Sequence, residues 1–318
     1  MRLAVYRAGV GVVIEDAPEP EPGTGDLLVQ TEACALCSGE LMPWYMERKS
    51  PHVLGHEVAG KCLASDGSGY SPGDRVAPHH HANCGECEDC RRGAEVHCSR
   101  WKATRLIPGG MAERFVIPRE NLSDTGLMND VRPQDAALVE PVACVLKSIC
   151  RAGEFESATV VGLGSFGVLH SVLLMEAGAN VEAIEPNPQR RRWAEELGIR
   201  SVVSPSRQSE AVFVCPGNEP ALRVGLNSLR PGGTLVLFAP HEPGGLVAMD
   251  FEDLFFRDIA LAFSYSAGRT EMAQAREAIR RGAVRAEQVV SHFISLDELP
   301  GAYRAMQAGD ILKPMVMF

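Results

Sequence analysis

The chain has 318 residues, 45% hydrophobic and 23% charged, and its 41 acidic against 31 basic side chains leave a formal charge of −10. That composition suits a globular protein of about two domains and argues against nucleic acid or an anionic membrane as partner. No apolar run reaches the roughly 18 residues of a membrane helix, and the start lacks the apolar core of a signal peptide, so a cytoplasmic location is expected.

Residues 1 to about 135 are rich in Pro, Gly and short apolar runs such as Leu27–Gln30, Val58–Leu63 and Arg75–Pro78. Helical periodicity is scarce there, which predicts a β-rich, partly open barrel. Two fragments carry residue types of metal chemistry: Cys34-Ala35-Leu36-Cys37-Ser38-Gly39-Glu40 and Gly55-His56-Glu57. Trp44 and Tyr45 follow the first and are candidates either for a pocket wall or for plain packing. His79-His80-His81 reads as one histidine lining a cleft and two in solvent.

Next comes Cys84-x2-Cys87-x2-Cys90-x7-Cys98. Four thiolates at that spacing can close a tetrahedral sulfur shell around one zinc ion, leaving no position for substrate. An iron–sulfur cluster is the rival, but there the fourth cysteine follows after three residues and precedes a proline. Ten cysteines in a chain with no export signal favour metal sites over disulfides. Cys62, Cys144, Cys150 and Cys215 lie in apolar runs and are expected to be buried thiols.

From about Pro141 strands alternate with helices. Ala158–Gly164 is a predicted strand, Phe166–Ala177 a helix, Val181–Glu185 a strand and Gln189–Leu197 a helix. Ser201–Ser204, Ala211–Cys215, Gly233–Phe238 and Ile259–Tyr265 follow as strands, the pattern of a doubly wound parallel sheet. Gly162-Leu163-Gly164-Ser165-Phe166-Gly167 falls between the first strand and helix. Gly162 permits a tight turn, Gly164 lets backbone approach a pyrophosphate, and Gly167 lets the helix pack on the strand. Amides of Ser165 and Phe166 at the helix N-terminus would then hold the phosphates. Glu185 ends the next strand, where a carboxylate accepts the ribose hydroxyls of NAD and repels the 2′-phosphate of NADP. Arg190 is a further candidate contact to the cofactor, although Arg190-Arg191-Arg192 also reads as a solvated helix face. After Gly268 come one helix, Glu271–Arg281, and a strand, Pro314–Phe318.

Together these motifs resemble the zinc-containing medium-chain dehydrogenase/reductase superfamily over essentially the whole chain. Leu138-Val139-Glu140-Pro141 is more similar to the sorbitol-type and sugar-alcohol dehydrogenases than to the ethanol-oxidising branch. The resemblance implies an α/β protein: a GroES-like β-rich catalytic domain (1–138 and 268–318, with a structural-zinc lobe at about 79–100) plus a Rossmann doubly wound parallel-sheet domain (139–267). It implies two zinc ions per chain, NAD(H), and hydride transfer to or from a small secondary alcohol of polyol, sugar or cyclitol type. Cys37 and His56 would be zinc ligands, Glu57 a ligand or its partner, and Glu140 a third or exchangeable ligand. One thiolate, one imidazole and one carboxylate leave a fourth position for substrate, as a catalytic zinc requires.

The departures from the family pattern are local. Gly39 and Glu40 replace the usual hydroxyl and aspartate, and Met42 replaces a relay histidine. Proton transfer is thereby left to Ser38, to water or to Glu57. Ser264-Tyr265 lacks the arginine of the polyol branch, and the segment between Ser204 and Ala211 is short, so one crossover is expected as a loop. Lys313 is a candidate contact to cofactor phosphates. Asp250–Asp258 leads into an edge strand of the kind that pairs subunits, giving an expected homodimer or homotetramer. Two alternatives remain: a reductase of a larger hydrophobic ketone, favoured by Leu41, Met42 and Trp44, and a non-catalytic dinucleotide sensor of the same fold.

Overall fold

A computed structural model describes residues 1–65 and 69–318, which divide into two units, Met1–Ala143 with Ala267–Phe318, and Cys144–Ser266. The first unit begins with β1 (Arg2–Arg7), β2 (Gly11–Asp16), β3 (Leu27–Ala35), β4 (His52–Val53), β5 (Glu57–Ser65), β6 (Arg75–Ala77), β7 (Arg114–Ile117) and β8 (Gly126–Leu127). Along β3 the residues Leu27, Val29, Thr31 and Ala33 point inward in alternation, so one face of the strand builds the core. Val58, Met111, Phe115 and Ile117 close over that face. Short helices interrupt these strands, including Pro43–Lys49 and Ser99–Ala103, which are too brief for a helical period to show in sequence.

The second unit carries β9 (Ser157–Val161), β10 (Asn180–Ile184), β11 (Ser201–Val202), β12 (Ser209–Val214), β13 (Leu229–Leu237) and β14 (Ala260–Phe263). All their pairings are parallel, in the order β11-β10-β9-β12-β13-β14. The chain starts in the middle, winds to one edge, and returns past β9 to wind to the other, the doubly wound arrangement. β9 and β12 are buried almost end to end, matching their continuous apolar runs. Helices Ser165–Glu176, Pro188–Glu196 and Glu219–Asn227 supply the crossovers, whereas residues 203–208 between β11 and β12 hold no helix. The helix Val139–Arg151 is concealed in the sequence by Pro141, yet proline is tolerated in a first turn, where its missing N–H has no partner anyway.

One buried group makes the second unit acid-sensitive. His170, fully buried on the helix Ser165–Glu176, donates from Nδ1 to the Phe166 carbonyl (2.7 Å) and accepts at Nε2 from Ser148 Oγ (3.0 Å). Burial pushes its pKa down to about 4, only partly offset by the carbonyl. An unfolded histidine titrates near 6.5, so between about pH 6.5 and 4 the unfolded chain binds the extra proton and stability falls with acid, by roughly 3 kcal/mol in total. Thermal unfolding between pH 7 and 4.5 should therefore show a shallower loss in His170→Gln than in the parent; equal slopes would refute it.

The chain returns to the first unit with β15 (His292–Ile294) and β16 (Pro314–Met317). A seven-stranded sheet results, in the order β15-β16-β3-β5-β6-β8 with β7 beside β3. Three helices stand where a single one was expected: Arg269–Arg280, Ala286–Val289 and Leu299–Ala308. The second is one turn long, and Pro300 and Gly301 in the first turn of the third read as breakers in sequence. The units meet at Ala143/Cys144 and Ser266/Ala267, five and one residues from the expected 138/139 and 267/268, because the first turn of Val139–Arg151 belongs with the first unit. No helix among the described residues is long and apolar enough to cross a membrane.

Candidate active site

The β3–β5 ladder brings the first candidate group together. Ala35 stands opposite Glu57 and Cys34 opposite Val58, so Cys37, two residues past β3, faces His56, one residue before β5. Gly55 makes the turn into β5 at φ +95°, and a Cβ there would overlap the Met111 amide and stand 2.7 Å from Cys34 Sγ. One ligand atom each from Cys37, His56 and Glu57 lies within 4.8 Å of the others.

Two residues outside the expected set frame this group. Glu40, 2% exposed, accepts from the Gly55 N–H (2.8 Å) and the Cys37 N–H (3.2 Å), and its Oε1 stands 3.4 Å from His56 Nδ1. Burial opposes its charge, but His56 and the two N–H donors outweigh it and hold the carboxyl at about 2. Burial likewise opposes a charged His56, yet Cys37 and Glu40 raise its pKa well above the usual value. Tyr303 Oη donates to the Glu40 carbonyl (2.9 Å) and fixes the turn from behind. The sequence signal for Glu40 was its place in a capping box, three residues after Cys37.

Lys313 is the second such residue, and its place corrects the expected cofactor contact. Its Nζ is fully buried in the first unit, 2.6 Å from Glu57 Oε2 and donating to the Leu36 carbonyl (3.0 Å). Glu57 Oε1 is buried with no hydrogen-bond partner among the described residues. Burial raises the Glu57 pKa, and Lys313 and His56 work against that rise. Glu140 is buried and close enough to Glu57 to raise its pKa, but the structure does not bring its carboxylate into the Cys37–His56–Glu57 group. Ser38 opens the turn Ser38–Leu41, half-buried beside Cys37.

A sulfur, an imidazole and a buried carboxylate oxygen awaiting a partner are the donor set of an open zinc site, so the residues fit the ion. The four-cysteine loop fits a closed one. Cys84 and Cys90 Sγ are 3.8 Å apart and Cys87 and Cys90 Sγ 3.4 Å, where sulfurs around a shared zinc stand about 3.8 Å apart. N–H groups of Glu86 and Cys87 draw the Cys84 thiol down to about 6, toward the thiolate that a metal needs. Val96, Cys98 and Trp101 form the small core under this lobe.

The histidine tract departs from expectation, since His79 is buried and His80 and His81 are half-buried, so none of the three is a fully exposed side chain. His79 is buried with Nδ1 2.7 Å from Asp124 Oδ2, and His81, half-buried, donates to the Thr104 carbonyl (2.7 Å). His80 lies between them, its ring centroid 4.8 Å from that of His56. Cys150, expected to be buried, is exposed, and Cys215 is half-buried. Trp44 and Tyr45 meet edge to face at 5.8 Å on the helix Pro43–Lys49, with Lys49 Nζ over the Tyr45 ring at 4.0 Å.

In the second unit the glycine loop joins β9 to the helix Ser165–Glu176. A Cβ on Gly167 would overlap the Gly162 carbonyl oxygen, whereas one on Gly164 would meet nothing within 4 Å. Gly164 is the N-cap and has no side chain with which to bond the first turn, whose N–H groups face the helix end. Glu185, buried after β10, accepts from the Leu163 N–H (2.7 Å) and the Asn187 N–H (2.8 Å), one at each oxygen, which leaves lone pairs for ribose hydroxyls. Arg191 donates to the Glu185 and Pro186 carbonyls, and the buried Nε of Arg190 has no partner among the described residues. Open space over Gly164 at a helix N-terminus, beside a buried carboxylate, fits a dinucleotide.

Comparison with known proteins gives the same two halves. The family model of the alcohol dehydrogenase GroES-like domain matches residues 23–127, and that of the zinc-binding dehydrogenases matches residues 162–281. The chain is 31% identical over 308 residues to D-altritol 5-dehydrogenase of Agrobacterium fabrum, across 90% of each chain. It is 26% identical to L-threonine 3-dehydrogenase of Rhizobium etli, across 97% of this chain and 95% of that one. A zinc-binding dehydrogenase of Sinorhizobium meliloti, solved with NADP, matches at a TM-score of 0.88 and 24% identity over 100% and 99% of the two chains, a likeness of fold.

Proposed function

Because the chain belongs to the zinc-containing medium-chain dehydrogenase/reductase family and is an alcohol-dehydrogenase-type oxidoreductase using zinc and a nicotinamide cofactor, we propose that it moves hydride between NAD and a secondary alcohol of polyol or sugar type. The observation that carries this reading is the Cys37–His56–Glu57 donor set with its unpartnered buried Oε1. Bound there, zinc supplies Lewis acidity toward the alcohol oxygen, and the nicotinamide supplies the hydride acceptor.

The chain's own residues do the rest. Cys37, His56 and Glu57 hold the ion, and Glu40 fixes the His56 ring by its contact at Nδ1, the support that metal-bound imidazoles need. Lys313 pins one oxygen of Glu57 and leaves the other free to bind. Glu140 lies near enough to this pair to act on the charges of both. Ser38 is the hydroxyl nearest in sequence to Cys37 and takes the proton-relay role that Gly39 cannot fill. Cys84, Cys87, Cys90 and Cys98 hold the second zinc, which braces their lobe.

For the cofactor, Gly162 to Gly167 cradle the pyrophosphate and Glu185 binds the ribose, with Arg190 close to the same edge. A carboxylate at that place opposes a 2′-phosphate, hence NAD over NADP. Ten cysteines with no disulfide among the described residues suit the reducing cytoplasm. The test is NADH or NADPH formation across a panel of polyols and simple secondary alcohols, with zinc counted by elemental analysis. Close to two zinc ions per chain and polyol turnover favouring NAD are expected. Equal rates with both cofactors would sink the NAD assignment, and no turnover on any alcohol would sink the reading itself.

The same reading includes a dimer. β14 is the outer strand of its sheet, pairing with β13 alone among the described residues, and Phe251, Phe255, Phe256, Phe263 and Tyr265 near it are 58–78% exposed. An open edge with that much apolar surface is an association site, and a second copy satisfies it by a two-fold axis between two β14 strands. Phe263→Asp should turn a dimer into a monomer in sedimentation, and an unchanged mass would exclude this edge.

A further inference from the structure

Two histidines of the tract keep a buried ring nitrogen with no hydrogen-bond partner among the described residues, His79 at Nε2 and His80 at Nδ1. Of the two, His80 is the one whose ring meets that of His56, and so the one placed to use it. Its Nδ1 is buried and has no hydrogen-bond partner among the described residues, a state that native proteins rarely tolerate without a ligand or water to fill it. Its ring is not free to seek one elsewhere. It meets the His56 ring at a centroid distance of 4.8 Å, tilted by 42°, and the His81 ring at 4.1 Å, tilted by 47°. His81 is itself tied to the Thr104 carbonyl and lies 4.0 Å from Trp101, the buried ring of the four-cysteine lobe. A continuous run of tilted ring contacts from Trp101 through His81 and His80 to His56 thus holds the ring that carries this unused polar atom against a member of the candidate donor set.

We infer that His80 is a specificity-determining residue that hydrogen-bonds, through Nδ1, a second polar group on the substrate, an oxygen or nitrogen on the carbon next to the reacting carbinol. This deepens the proposed function and rests on it for the identity of the reacting carbon. The position suits such a contact, because whatever occupies the Cys37–His56–Glu57 group lies against His56, and the His80 ring meets that of His56. The chemistry suits it as well, since Nδ1 is a donor or an acceptor in either tautomer and a hydroxyl satisfies both. A substrate lacking that group leaves Nδ1 buried and unpaired, and sites of this kind discriminate strongly against such analogues.

The probe pair is 2,3-butanediol and 2-butanol, which share a carbon frame and differ in the neighbouring hydroxyl. The zinc-loaded enzyme should prefer the diol in kcat/KM by roughly a hundredfold, the scale of one buried hydrogen bond with its unsatisfied alternative. His80→Phe keeps the ring contacts and removes the polar atom, so it should lower kcat/KM for the diol alone and bring the two alcohols within about threefold. His80→Asn, whose amide reaches the place of Nδ1, should recover part of the preference. Calorimetric binding of both alcohols to enzyme already holding NADH reads the same preference with no hydride transfer. Equal losses on both alcohols, or a preference that ignores His80 in both readouts, overturn the inference. Binding that depends on His80 without turnover of any alcohol leaves it standing and overturns the dehydrogenase reading instead.

Discussion

Cys37→Ser is expected to lower turnover about a thousandfold or more and to release close to one of two zinc ions per chain, with the fold intact. The ion's charge stabilisation is several kcal/mol, and each 1.4 kcal/mol is a factor of ten, which sets that scale. Serine oxygen binds zinc far less well than thiolate sulfur, so the site loses its softest donor while the side-chain volume hardly changes. The fold should survive because Cys37 anchors the turn through its backbone N–H to Glu40, a bond that serine keeps. Elemental analysis with circular dichroism and a turnover assay checks all three parts. Full activity at unchanged zinc content would end the catalytic-metal assignment.

Gly167→Ala should weaken NAD(H) binding by about ten- to a hundredfold and also lower the stability of the second unit. The added Cβ would overlap the Gly162 carbonyl oxygen, which is backbone and cannot step aside as a flexible side chain could. The helix Ser165–Glu176 must lift from β9, an overpacking cost of roughly 1–3 kcal/mol that falls on the loop meant to hold phosphates. Gly164→Ala is the informative contrast. Its Cβ meets no protein atom within 4 Å, so unfolding should be unchanged while cofactor affinity still falls, because the methyl stands where the pyrophosphate would pass. Fluorescence titration of NADH with parallel melting curves separates the two variants. Wild-type affinity in Gly167→Ala would remove the dinucleotide assignment.

What could be read in the chain itself was short-range. Cys84, Cys87, Cys90 and Cys98 advertise a shared ion because four ligands lie within fifteen residues, and the glycine loop shows itself by strand, turn and helix in direct succession. The doubly wound order was legible for the same reason, since each strand and its crossover helix are neighbours in sequence. The framing of the Cys37 site was not. Lys313 reaches the Leu36 carbonyl across 277 residues, and Tyr303 reaches Glu40 across 263, contacts set by sheet order and invisible to local pattern. His80 met the same fate: a run of three histidines says nothing about which ring will meet that of His56. The place of Glu57 beside Cys37 follows from the register of β3 against β5, which no local pattern around Glu57 or Glu140 discloses.

The ion pair of Lys313 with Glu57 also sets an order of events at the ribosome. Synthesis runs from the N-terminal side, and the whole of Cys144–Ser266 emerges between the two partners. A contiguous unit can fold as it emerges, while the split one waits for β16 to slot beside β3. Until then Glu57 carries a charge with no counter-ion in a site that will later be dry. Nascent chains halted before residue 313 would hold every proposed zinc ligand and still lack the cation that makes burying Glu57 tolerable.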